Sequence, residues 1–337
     1  MRYVTICDIA NELGISKSTV SRALNGDLHN VSDKTFKLVR ETATRMGYRR
    51  NEMAVNLRLK SNHVVGIIVP EITTTFSMNF IAHAQKYLRT KGYGVTIAYS
   101  DEDPGLERSN LEMFAKARVN GVLISASHNK ANINIYKAFL NKGIPLVFFD
   151  RTISDISVPC VKSNDYIKAF FMVEHLIYNG KRKILHLAGP EHIQNSIERR
   201  QGWRDAIEKF HLPYDSAYAI ECGVRVSDGS DAICNAIAHG IDFDSVFCFT
   251  ETQALGAKSY LQKLNYSIPD DVAICCMSGT DLSTLVYPQI TAVEQQVDSM
   301  AQAATELLLE KIENFDCPSR TLVIDSQMVI RASTDSD

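Results

Sequence analysis

At 337 residues, with 45% apolar and 22% charged side chains, the chain is too long for one ordinary compact domain and too apolar for a disordered one. No stretch approaches ~18 continuous apolar residues, and the opening MRYVTICDIANEL lacks a secretory apolar core, so a membrane partner is not expected and a cytoplasmic location is. The net charge of −3 hides an asymmetry: residues 1–60 hold 11 Lys and Arg against 6 Asp and Glu, whereas the remainder holds 25 against 33. A basic head on an acidic body suggests a polyanion as the head's partner.

Short helices come first. Thr5 with Asp8 three positions on makes a capping-box pattern, opening a helix through Leu13 that Gly14 breaks. Ser16 can cap a second helix to about Leu24. Ser32 caps a third, DKTFKLVRETATRM, stopped by Gly47, with an apolar stripe at Phe36, Val39, Ala43 and Met46.

From residue 62 the texture changes to apolar β-rich runs: VVGIIVP, GVTIAYS, GVLISAS and PLVFFD, then KILHLAG, SVFCFT and VAICCM, separated by helical stretches. Strands apolar on both faces belong to parallel sheets covered by helices. The βα rhythm restarts near residue 160, so two doubly wound lobes with a cleft between them are expected, ligands binding at the carboxyl ends of the strands.

No phosphate loop, dinucleotide glycine motif, nucleophile elbow or H-E-x-x-H occurs, so no catalytic residue is assigned and an enzyme is not expected. His175 and His186 sit in apolar contexts that suit core histidines. The eight cysteines show no C-x-x-C spacing and read as buried reduced thiols, with no metal or cofactor implied. Trp203, the one tryptophan, reads as core.

Two helices meeting at a tight angle need a small residue at their approach, a turn glycine and an inward apolar residue. Ala10, Gly14 and Val20 supply them at the helix-turn-helix spacing. A plain helical hairpin shows the same triplet; the basic charge and the hydroxyls of ISKSTVSRALN favour DNA. Val20 and Leu24 would then face inward and Lys17, Ser18, Ser21 and Arg22 outward.

The segments VTICDIANELGISKSTVSRALNG, VSDKTFKLVRETATRMGYRRN and NLRLKSNHVVGIIVP together resemble the head, hinge and first strand of the lactose-repressor/galactose-repressor (LacI/GalR) family of bacterial transcription regulators. The resemblance is dense over the first seventy residues and continues in fragments to the end. It implies a small all-α helix-turn-helix head (1–49), a hinge helix (50–61) and an α/β periplasmic-binding-protein-like sensor body (62–337). The body's first lobe would hold about 62–161 plus 291–319, the second about 162–290 plus 320–337.

On that resemblance, Lys17, Ser18 and Arg22 lie where the family reads base edges in the major groove, and Arg22 suits a bidentate contact to guanine. Thr5, Ser16, Thr19, Ser21 and Asn25 fit phosphate contacts, although Thr19 can instead satisfy its own helix end. NEMAVNLRLKS resembles the hinge helix, with Ala54 on its DNA face and Leu57 as the minor-groove wedge; a plain linker leucine is the other reading. Arg50 stands where the family usually has proline.

In the body, Arg199 of IERRQGWRDAI matches the family arginine that points into the cleft, where its planar fork suits hydroxyls, a carboxylate or a phosphate. Asp150-Arg151 resembles the family's D-R at the cleft rim; Arg151 either binds ligand or pairs with a carboxylate. Asp165 fits a hydroxyl acceptor, Thr250 a polar cleft position and Phe76 an apolar wall. Ser278 replaces the aspartate that usually accepts two sugar hydroxyls, so a sugar acid or sugar phosphate rivals a neutral sugar as effector. A homodimer on a pseudo-palindromic duplex operator is implied. A transport-type sugar-binding protein, sharing the body without the basic head, is the alternative.

Overall fold

The computed structural model describes residues 4–27, 30–48, 62–72, 74–213 and 215–335. The chain divides into two compact units, Met1–Asn62 and His63–Asp337.

Among its described residues the first unit has three helices, α1 (Ile6–Leu13), α2 (Lys17–Leu24) and α3 (Asp33–Arg45). Thr5 and Asp8 form the capping box at α1, and Gly14 ends it at φ 63°, in the left-handed region that glycine enters without Cβ strain. Ser16 and Ser32 accept from the Thr19 and Thr35 amides, as their sequence positions suggest. Ile9, Ala10, Val20, Ala23, Val39 and Ala43 form the core. Leu24, expected to face inward, is only half-buried against that core; Ala23 is the buried neighbour of Val20.

The second unit is two six-stranded sheets. The first is ordered β11–β5–β4–β3–β1–β2, from β1 (Val64–Val69), β2 (Gly94–Tyr99), β3 (Gly121–Ile124), β4 (Leu146–Phe149), β5 (Cys160–Ser163) and β11 (Thr321–Ile324). The other is β12–β10–β9–β8–β6–β7, from β6 (Ile184–Ala188), β7 (Ala219–Glu221), β8 (Ser245–Cys248), β9 (Ala273–Gly279), β10 (Thr291–Glu294) and β12 (Gln327–Val329). All pairings are parallel except β10 with β12. β3, β4, β6 and β8 are buried throughout, as two covered faces require.

Helices α4 (Thr75–Thr90) and α11 (Val297–Glu313) cover one face of the first sheet, and α5 (Pro104–Ala117) and α6 (Ile133–Asn141) the other. The α5 contact is close: a Cβ on Gly66 would lie 2.4 Å from the Phe114 ring. On the second sheet, α7 (Asp165–Tyr178) and α8 (Gln194–Lys209) pack opposite α9 (Val226–Ala238) and α10 (Glu251–Lys263).

Two segments fall in the lobe opposite to the one expected. Thr291–Glu294 pairs with β9, Thr291 beside Cys275, so the boundary expected at 290 follows Glu294 instead. Thr321–Ile324 pairs with β5, Thr321 beside Cys160, and joins the first lobe. Each strand is placed by a partner far away in sequence, a pairing that no local pattern carries. The chain therefore passes between lobes after Ser163, after Glu294 and after Ile324.

All eight cysteines are free; Cys248, Cys275 and Cys276 are buried, whereas the other five are half-buried rather than buried as expected. Trp203 is core, its Nε1 donating to the Ile184 carbonyl at 3.2 Å. His186 is fully buried between Trp203 and Phe247; its Nδ1 donates to the Phe247 carbonyl at 2.9 Å, while Nε2 has no partner. Among the described residues no helix is long and apolar enough to cross a membrane, and no cluster of His, Cys, Asp or Glu is placed to hold a metal.

Candidate functional site

The head presents one polar face. Lys17, Ser18 and Arg22 of α2 are exposed, as are Thr5, Ser16 and Asn25; Ser21 and Thr19 are half-buried. Burying Val20 and Ala23 against α3 fixes which side of α2 turns outward. The hydroxyls also serve the helix: Ser16 Oγ accepts the Thr19 amide at 3.1 Å and shares hydrogen bonds with Ser18 and Thr19 at 2.7 and 2.8 Å. Asn25 Nδ2 reaches Ser21 Oγ at 3.4 Å. The capped start and the buried Val20 and Ala23 leave Lys17, Ser18 and Arg22 exposed on one short helix. Ala54 and Leu57, the expected hinge contacts, lie outside the described residues.

The body's candidate site is a cleft of about 310 Å³ at the carboxyl ends of the strands of both lobes. Phe76, Arg151, Arg199, Thr250 and Ser278 all line it, five of the six residues assigned to it from sequence. Phe76, on the first turn of α4, stacks on Phe80 at 6.4 Å and supplies the apolar wall. Thr250 is the N-cap of α10, its hydroxyl accepting the Gln253 amide and shared with Thr252 at 2.9 Å. Ser278, at φ 57°, and Asp150, at φ 56°, both hold left-handed backbone where strands turn out toward the cleft. Non-glycine residues in that region are uncommon, and such strain concentrates at binding sites.

Arg199 is 1% exposed, too buried to be left uncompensated. Its Nε donates to Asp165 Oδ1 at 2.6 Å, one Nη to the Phe249 carbonyl at 2.6 Å, and its guanidinium lies 4.6 Å above the Phe249 ring. Asp165, expected as a hydroxyl acceptor, supplies that compensation. It is 2% exposed, does not line the cleft, and accepts from Arg199 and Ser163 Oγ. The two readings of Arg151 resolve toward pairing: both Nη atoms donate to the Glu102 carboxylate, at 2.6 and 2.9 Å.

Further polar groups line the cleft. Burial and the nearby Asp165 carboxylate push the Asp150 carboxyl above its ordinary range, against the pull of Arg151, Arg199 and the Gln295 amide. Gln295 Nε2 donates to Asp150 Oδ1 at 3.2 Å and to Ser163 Oγ at 2.9 Å, tying the first lobe to the segment that leaves β10. Glu251, 4% exposed, accepts the Thr280 amide at 2.8 Å and hydroxyl at 2.6 Å and the Ser283 amide at 2.8 Å. Ser125 follows β3, and Asn195 sits in the first turn of α8. The D-R dipeptide at the end of PLVFFD signals Asp150; Ser125, Asn195, Glu251 and Gln295 have no signature in the sequence.

Residues 5–51 match the profile of the bacterial regulatory proteins of the lacI family, and residues 62–331 that of the periplasmic binding proteins and sugar binding domain of the LacI family. The chain is 27% identical to the HTH-type transcriptional repressor PurR of Mannheimia succiniciproducens over 330 residues, 98% of each protein. It is 28% identical to catabolite control protein A of Priestia megaterium, covering 98% of this chain and 99% of that one. Among solved structures, the lac repressor dimer bound to operator and the anti-inducer ONPF has a TM-score of 0.87 at 21% identity, over 99% of this chain and all of that one. The transcriptional regulator CelR–cellobiose complex has a TM-score of 0.75 at 22% identity, over 98% and 99%. At these identities the structural likenesses speak to fold alone.

Proposed function

The chain belongs to the LacI family of bacterial regulatory proteins, regulators of transcription and not enzymes, and from that premise we propose that it is a cytoplasmic repressor switched by a small carbohydrate-derived effector in its cleft. The observation that carries the DNA half is the exposed Lys17, Ser18 and Arg22 face of a helix-turn-helix inside the matched head. That head also separates the chain from a transport-type binding protein with the same body. Lys17, Ser18 and Arg22 read base edges; Thr5, Ser16, Thr19, Ser21 and Asn25 hold phosphates, with Thr19 and Ser16 doubling as helix caps. Ala54 and Leu57 complete the contacts in the minor groove.

A homodimer on a two-fold operator suits this reading, as in the lac repressor dimer–operator structure. The body leaves apolar side chains uncovered: Ile72, Met78, Ile97, Tyr99 and Met113 in one lobe and Leu285 and Tyr287 in the other. An effector in the cleft touches both lobes and thereby favours one relative setting of them; operator and effector must then change each other's affinity by the same factor.

Titrating the full chain into labelled duplex DNA at several salt concentrations tests the DNA half. Log affinity should fall linearly with log salt, with a slope of about 0.9 per phosphate contacted. Flat, salt-insensitive binding, or none at all, would sink the reading.

A further inference from the structure

Apart from the three chain crossings, the lobes touch through side chains, and one of those contacts is a pair of histidines. His128 lies in the loop that follows β3 in the first lobe, His192 in the turn between β6 and α8 in the second. Both are half-buried, and their rings stack with centroids 5.0 Å apart and planes 16° from parallel. Beside them the Asn129 amide donates to the His192 carbonyl at 3.0 Å, a main-chain bond from lobe to lobe. Lys162 of β5 also reaches across, to Glu198 of α8, at 2.8 Å.

The His128 loop is anchored from behind. Glu107 of α5, fully buried, accepts the Ser127 amide and Asn132 Nδ2, both at 2.7 Å, and the Tyr136 hydroxyl. Within the loop, His128 Nδ1 accepts the Lys130 amide at 3.0 Å and the Ala131 amide at 3.3 Å. A ring nitrogen that accepts two amides carries no proton, so this loop conformation belongs to neutral His128. Protonation would break both bonds and set a cation against the His192 imidazole. The charged groups around the pair are Glu107 behind His128, Lys130 on the same loop, and Glu191 next to His192, itself paired with Arg200 of α8. Burial and the nearby His192 hold His128 below the ordinary histidine range; Glu107 opposes them and Lys130 adds to the lowering.

We infer that His128 and His192 form a proton-sensitive latch: neutral, they hold the first lobe's loop against the second lobe, and acid releases it, so the relative setting of the lobes answers to pH. A ligand that favours the latched setting then binds more weakly in acid, because two equilibria coupled through one setting change each other reciprocally. That consequence rests on the cleft being the effector site; the latch itself does not. The test is hydrogen exchange of the full chain without ligand, corrected for intrinsic rates, at pH 7.5 and pH 5.0. The amides of residues 129–131 should lose about tenfold or more in protection at the lower pH. The double variant His128→Asn, His192→Phe keeps an acceptor for the two amides and a ring to stack, but neither group titrates there, so its loss should be far smaller. It retains His186, so the difference between the two chains isolates the latch. Equal losses in both chains, or none in the native one, overturn the inference. NMR titration of the native chain's ring protons should give His128 a midpoint below the ~6.5 of a free histidine, and His192→Phe should raise it. A midpoint that His192→Phe leaves unmoved overturns the latch as well. The regulator reading is tested apart from all this, by salt-sensitive DNA binding.

Discussion

The head and the cleft hold their functional groups in opposite ways. Lys17, Ser18 and Arg22 stand in solvent on a helix whose fold depends on other residues, Val20, Ala23 and the Ser16 cap. Arg199 and Asp165 are buried, and each is the other's compensation. A side chain of the first kind can be removed at the cost of a contact. One of the second kind cannot be removed without disturbing the lobe that holds it. Recognition of a rigid duplex allows the first design, whereas enclosing a small molecule requires the second.

The sharpest way to break this comparison is Arg199→Ala. It strands the Asp165 carboxylate in the core, so the body should lose about 3–5 kcal/mol in urea unfolding, in addition to any loss of effector binding. Unchanged unfolding would mean that the cleft arginine is as dispensable to folding as a surface one.

A second contrast is in pH. Burial lowers His186 to about 4, whereas an unfolded histidine titrates near ~6.5. Below ~6.5 the unfolded chain takes up a proton that the folded body refuses, so stability falls as pH drops and the slope ends near the folded value. The loss is on the order of 3 kcal/mol. Urea unfolding followed from pH 7.5 to 4.5 should show it, and His186→Gln should flatten the body's profile; an equally steep profile in that variant refutes the assignment.

On the head, Arg22→Ala should reduce affinity for a selected operator by about 1–3 kcal/mol and relax preference at one base pair. Fluorescence anisotropy measures this, and the melting temperature should not move. Smallest is Ser16→Ala, where a lost cap costs the head about 1 kcal/mol, readable as faster amide exchange in α2.

What sequence discloses follows the same division. Caps at Thr5, Ser16 and Ser32 are legible because donor and acceptor lie three residues apart. The buried strands are legible because their apolar runs need no partner to be seen. The pairing of Asp165 is hidden because its partner is 34 residues away: nothing at a strand end announces that Arg199 lies beside the carboxylate. Likewise β10 and β11 carry no mark of which sheet they complete, and Ser125 and Asn195 are distinguished only by what fails to reach them.

The threading of the body also sets a clock. The head's core is complete once Tyr48 has been made, whereas β11 and β12, which add an outer strand to each sheet, come only at residues 321–329. At a synthesis rate of ~5–20 residues per second, the interval is on the order of 15–55 s. During it a nascent chain carries a finished head core and two unfinished lobes, so the head can fold while the body is still incomplete.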